Sequence, residues 1–213
     1  MKDRSLIILL WILLIHAVLY MFAIPESWMR TLLARESAAV EATVGPDKAQ
    51  YAIARSTDYF TKFFVDTGLQ AETFFIFVPN RAVDPASATA ELEQKADSTI
   101  FPWVESRLRT VWTSIFLLFN RISVALLWVP LALLTFTPFL IDAFATRKIK
   151  STSFQITSPH MQGIASRAIP LSIVLYVVAL LMPVYISPLW VPFLLVLTSA
   201  LSWVMVAHFV KRG

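Results

Sequence analysis

Twenty consecutive residues, Ile122 to Ile141, carry no charge, and three cations then crowd into the four residues Arg147 to Lys150. At about 1.5 Å per helical residue the uncharged run is about 30 Å long, the thickness of a bilayer's hydrocarbon core. A cationic cluster closing such a run marks the cytoplasmic end of a membrane span. The chain therefore has to be organised about a crossing here, whatever the rest of it does.

Other stretches repeat the pattern. Leu6 to Ile24 holds 19 uncharged residues after Lys2 and Arg4, and ends at Pro25-Glu26. A secretory signal would have a shorter apolar region, about 7–15 residues, and small residues before a cleavage point. The sequence MFAIPES offers Ala23 followed by Ile24 and Pro25, a poor site, so a retained anchor is expected. Ala168 to Val210 is 43 residues without one Lys, Arg, Asp or Glu. That is room for two spans, with the turn at Pro183 to Pro188 and Pro170 in the first turn of the earlier one.

Composition agrees. Of 213 residues 57% are hydrophobic and 15% charged, against about 25% charged in soluble domains. No cysteine is present, which excludes disulfides, thiolate metal sites and a cysteine nucleophile. The four glycines are scattered, so the clustered glycines that let a backbone cradle phosphate are missing. A formal charge of +4 would suit nucleic acid, but in a membrane protein excess Lys and Arg reflects topology, and direct sequence-specific nucleic-acid binding is not expected.

The remaining polar part, residues 25–110, holds nine Lys/Arg and twelve Asp/Glu. Turn signals at Gly45-Pro46, Gly68, Pro79-Asn80 and Asp84-Pro85 divide it. Trp28, Leu32 and Leu33 fit a helix starting after Ser27. Tyr51, Ile53, Tyr59, Phe60, Phe63 and Phe64 give a second helix, Asp47 to Thr67, an aromatic face read as helix packing. Leu69 to Val78 is short and apolar and fits a strand, an interfacial helix or core equally. Ser87 opens a polar helix former, SATAELEQKADS. Some 86 residues suffice for a modest core.

These segments give an all-α membrane protein of four transmembrane helices, with a mainly helical periplasmic domain between the first and second. The divisions are 1–24 (cytoplasmic N-terminus and first span), 25–110 (periplasmic domain), 111–144 (helix with the second span), 145–167 (basic cytoplasmic loop) and 168–213 (a transmembrane hairpin and cytoplasmic C-terminus). The segments 1–4, 145–167 and 211–213 hold eight Lys/Arg and one acid. Four spans gather all of them on the cytoplasmic side of a bacterial inner membrane, with both termini there.

Arg121 interrupts the apolar pattern that starts at Trp103. A charge at mid-bilayer costs at least about 2.5–3.5 kcal/mol, so Arg121 is set at the outer edge, where it reaches the headgroups. With Trp128 and Asp142 it makes up the expected membrane-interface residues. Asp142, at the inner edge, is expected to pair with a cation of the basic cluster. Arg147, Lys148, Lys150 and Arg167 form an acid-free surface suited to anionic lipid, at about 1 kcal/mol per cation, or to an acidic partner. No HExxH or GxSxG motif appears, and His16, His160 and His208 lie far apart in sequence. Neither a catalytic nor a metal site is expected, and no cofactor.

Arg121-x-Ser123, Trp128-x-Pro130, Asp142, Arg147-Lys148-Ile149-Lys150 and Ser158-Pro159 together resemble the pattern of the family catalogued as domain of unknown function 4400, inner-membrane proteins of integrating conjugative elements and conjugative plasmids. The resemblance covers most of the chain and is strongest from about Arg107 to Arg167. It implies a role in conjugative DNA transfer beside the coupling ATPase of a type IV secretion system. Taken with the topology and the missing catalytic constellation, it leads to the expectation of a non-enzymatic component that scaffolds or positions other membrane subunits such as that ATPase. Anionic lipid and a second copy of the chain are further candidate partners. The competing readings are a small transporter or channel along His16, Asp142 and His208, and an entry-exclusion or envelope protein.

Overall fold

The computed structural model describes residues 11, 15, 23–78, 100–152 and 159–208. Among them every regular element is helical and none is a strand. In chain order these are α1 (Glu26–Val44), α2 (Pro46–Phe60, prolonged by a π-helical turn Thr61–Val65), α3 (Leu69–Phe77), α4 (Phe101–Leu127), α5 (Val129–Thr152), α6 (Pro159–Leu181) and α7 (Trp190–Ala207). The expected span at Leu6 to Ile24 falls almost wholly outside the described residues, as do the SATAELEQKADS helix, His16, Ser158 and the C-terminal cations.

The first three helices wrap α4. Gly45, at φ 89°, lets α1 end and α2 begin with Pro46 in its first turn. The buried positions of α1 are Met29, Leu32, Glu36 and Val40, spaced as one helical face. Met29 and Leu32 pack with Ile24 and Leu117, and Val40 packs with Ala49, Ala52 and Val124. The aromatic face of α2 is used in part. Phe60 meets Phe116 edge-on at 5.6 Å and Phe64 meets Trp112 at 5.3 Å, while Tyr51 and Phe63 stay exposed. The Leu69–Val78 stretch is helix α3, tied to α4 by the Trp112 indole donating to Thr73 Oγ1 at 3.1 Å.

Four helices are long and apolar enough to cross a membrane: α4, α5, α6 and α7. Their number equals that expected, and the first expected span, Leu6 to Ile24, lies almost wholly outside the described residues from which these four come. The run expected to cross at Ile122 to Ile141 is broken at Trp128, because Pro130 has no N–H to continue the ladder. One residue separates α4 from α5, and the two share almost no contact, so they are not an antiparallel hairpin. Burial within the protein separates the four. The apolar window of α4 is 39% buried within the protein, against 6%, 11% and 22% for α5, α6 and α7. Helices meant for lipid leave their sides uncovered, and α4 is covered by α1–α3.

In the membrane part α7 lies between α5 and α6. Asp142 pairs with Trp203, and Lys150 with His208, so α5 and α7 run in parallel. Ala143, Ser199 and Ala207 are fully buried, and small residues of this kind let helix backbones approach. Pro170 lies inside α6 rather than in its first turn, because the helix begins at Pro159 and takes in Arg167. Ala143→Leu is expected to force the helices apart and cost about 1–3 kcal/mol, read as a lower Tm of the purified protein; an unchanged Tm would place Ala143 away from the seam.

Candidate functional site

The last carbonyls of any helix lack intrahelical partners, and at membrane depth each unsatisfied group costs several kcal/mol. α6 ends at Leu181, and residues 182–189 run irregularly to α7. Arg121 of α4 solves this. Its Nη1 donates to the carbonyls of Ala179 (2.9 Å), Leu180 (2.9 Å) and Met182 (2.6 Å), and its Nη2 donates to Val184 (2.7 Å). The positive charge also sits at the negative end of the α6 dipole.

The same guanidinium meets the Glu36 carboxylate of α1 in a two-pronged pair. Nε donates to Oε2 at 3.0 Å and Nη2 to Oε1 at 2.6 Å. Side-chain exposures of 7% and 5% make this a buried pair. Glu36 Oε1 further accepts the Ile186 N–H at 3.2 Å. All five N–H donors of Arg121 are therefore engaged. A lysine could not do this, having three donors and no planar fork. Two more bonds reinforce the junction: Trp28 Nε1 donates to the Pro183 carbonyl at 3.1 Å, and Arg107 Nη1 to the Ile24 carbonyl at 2.9 Å.

A buried ion pair is weak evidence for net stability, since desolvation offsets much of the attraction. Its clearer consequence is specification. Side chains 85 residues apart in sequence and an irregular turn satisfy one another in only one docking of α1 and α4 on the α6–α7 hairpin. Arg121, expected at the membrane edge with its head among lipid headgroups, is instead held inside the protein. Glu36 and Asn120 were not singled out by the sequence, and Trp28 only as part of a helical pattern. A signal for Glu36 existed: it is the one charge on the otherwise apolar stripe Met29, Leu32, Val40.

The other expected site residues lie elsewhere. Trp128 forms the α4–α5 junction, with its indole Nε1 buried and unpartnered. The Asp142 carboxylate accepts from the indole of Trp203 in α7 at 2.6 Å. Arg147, Lys148 and Lys150 occupy the last turns of α5 rather than a loop, where cations favour the helix dipole. Lys150 Nζ lies 3.2 Å from His208 Nε2, whose Nδ1 faces the Val204 carbonyl at 3.1 Å. Arg167 is exposed on α6, and His160 lies at that helix's start. His208 thus joins Lys150 and the ring of Trp203, while His160 has no part in that cluster. Among the described residues no group of three or more His, Asp or Glu is placed to hold a metal ion.

Fold and site together define a multi-pass helical membrane protein in which a bundle of amphipathic helices is clamped by one arginine to the tip of a transmembrane hairpin. A family model described as IncC plasmid conjugative DNA transfer protein DtrJ-like matches residues 24–210, and the chain belongs to that family. No curated protein and no solved structure matches it. The expected link to conjugative DNA transfer therefore holds, through the DtrJ-like family rather than through domain 4400 by name.

Proposed function

We propose that the protein is a non-enzymatic inner-membrane component of a conjugative type IV secretion apparatus that holds partner subunits in register. The observation that carries this reading, beside family membership, is the Arg121–Glu36 clasp. It makes the α1–α4 bundle and the hairpin one rigid unit, as a positioning element requires, and it leaves no guanidinium donor over for chemistry. The clasp end faces the periplasm and the basic ends of α5 and α6 face the cytoplasm, following the positive-inside rule. The periplasmic bundle would meet envelope parts of the machinery. Arg147, Lys148, Lys150 and Arg167 would meet an acidic face of a cytoplasmic subunit such as the coupling ATPase, aided by anionic lipid.

Lys148 and Arg167 are the exposed members of the basic set. At about 1 kcal/mol per cation near the surface, the pair Lys148→Gln with Arg167→Gln is expected to weaken docking roughly tenfold or more. Mating frequency from donors should fall accordingly, with membrane levels of the protein unchanged and a reporter fused at residue 85 still periplasmic. Full transfer by this variant, or no secretion subunit crosslinked to the wild type in cells carrying the element, would overturn the reading. Equal transfer with flux into proteoliposomes lost in Asp142→Asn would favour a transporter instead.

A further inference from the structure

A cavity of about 280 Å³ lies beside the clasp, between α1, α4, the end of α6 and the start of α7. A second, of about 250 Å³, continues it toward the basic end, with Ala132 and Phe136 of α5 on its wall. The two share Tyr176, Val191 and Leu194. Along α7 the pair extends from Trp190 to Thr198, about 12 Å at 1.5 Å per residue. Half of the hydrocarbon core is about 15 Å, so the cleft spans most of the leaflet at the clasp end. Its lip is formed by Leu175, Val184, Tyr185 and Trp190, each about half exposed.

Size and lining chemistry together select an occupant. A cavity of about 150 Å³ takes one benzene, so each of these takes roughly ten carbons of a chain. One turn of an α-helix, about 10 Å across and 5.4 Å long, fills roughly 400 Å³ and fits neither. Tyr185 and Ser187, in the irregular turn after α6, line the clasp end and carry hydroxyl donors. Ser187 Oγ accepts the Leu189 N–H at 3.4 Å, but among the described residues neither hydroxyl has an acceptor of its own. A phosphate is poorly served here. Arg121, the only cation in the lining, has every N–H engaged, and Glu36 adds a carboxylate. An ester carbonyl asks only for a neutral donor, and a glycerolipid in this leaflet carries its esters where its chains end, level with that turn.

We propose that the cleft holds one diacyl glycerolipid by a single acyl chain laid along α7, an ester carbonyl accepting from the Tyr185 and Ser187 hydroxyls. The headgroup stays outside the cleft, so the site reads the chain and the ester and not the headgroup. That separates it from the basic surface at the other end, where anionic lipid is drawn by charge. The bound chain fills the gap between α5, the hairpin and α4. This inference rests on the hairpin lying in the membrane and is independent of the role in conjugation.

The full-length protein is purified from mixed micelles holding equal amounts of diester phosphatidylcholine and its diether analogue, which keeps headgroup and chains and lacks the carbonyls. The zwitterionic head gives neither lipid a pull toward the basic surface. Retained lipid is counted by native mass spectrometry. Wild type is expected to keep one lipid per chain, the diester about fivefold over the diether, the worth of one neutral hydrogen bond. Tyr185→Phe with Ser187→Ala is expected to bring that ratio to about one while lipid is still retained. Ala132→Phe sets a ring in the lower cavity, away from the clasp and both hydroxyls, and is expected to lose the lipid altogether; it serves if the double variant does not fold. Equal retention of the two lipids by the wild type, a preference that survives the double variant, or lipid that survives Ala132→Phe would overturn the assignment. A lipid-free dimer that Ala132→Phe dissolves would also overturn it, giving the cleft to a second copy of the chain.

Discussion

Arg121→Ala is expected to destabilise the protein by about 3–5 kcal/mol, the range for removing one partner of a buried ion pair. The substitution leaves the Glu36 carboxylate unpaired at 5% side-chain exposure. It also strips donors from the carbonyls of Ala179, Leu180, Met182 and Val184. Glu36→Gln should cost less, because the guanidinium keeps those four carbonyls and an amide oxygen still accepts from it. Arg121→Lys restores charge but not the fork, and should fall between wild type and alanine. Thermal melting of the detergent-solubilised protein orders the set, and protease cleavage within residues 182–189 reports release of the hairpin tip. Alanine melting within a degree or two of wild type would mean that the clasp does not hold the two parts together.

Lesser costs for Glu36→Gln would also separate the two jobs of the guanidinium. One is pairing with a carboxylate, which a neutral hydrophobic pair of similar volume could replace at little loss. The other is closing the end of α6, which no apolar side chain can do. The double variant Arg121→Met with Glu36→Leu is thus expected to recover part of the loss and not all of it. The unrecovered remainder measures the carbonyl bonds.

The sequence revealed the class of fold through charge-free runs, because hydrocarbon thickness converts directly into residue number. It revealed less about what α4 does. Val111 to Leu127 is apolar enough to read as part of a crossing, and only its packing against α1–α3 separates burial in protein from burial in lipid. The break at Trp128 lies inside the charge-free run, where hydropathy gives no sign that one helix ends and another starts. Leu69 to Val78 gave no answer because its apolar residues follow neither a helical nor a strand period, so nothing but contact with Trp112 and its neighbours chooses a helix. At the site, Arg121 announced itself as a charge in an apolar run. Its partners did not, since four of them are main-chain carbonyls and the fifth lies 85 residues away.

Leu117→Ala probes the bundle independently of any charge. Leu117 is 1% exposed and packs on Ile24, Met29 and Leu32, of which Met29 is fully buried. Truncation removes the methyl groups that α4 sets into α1 and leaves a cavity in a core of few members. A cost of about 2–5 kcal/mol is expected, toward the upper end where surroundings cannot collapse. Here α1 is held on both sides of the gap, by Arg107 on the Ile24 carbonyl and by Arg121 on Glu36, so collapse is restrained. Leu117→Met should cost well under half as much, because volume is nearly kept. Leu117 and Arg121 stand one turn apart on the same helix and face the same partner. Losing either loosens α1 for both, so the double variant Leu117→Ala with Arg121→Ala is expected to cost less than the sum of the singles. Strict additivity in melting experiments would show instead that the apolar core and the clasp hold α1 as separate contacts.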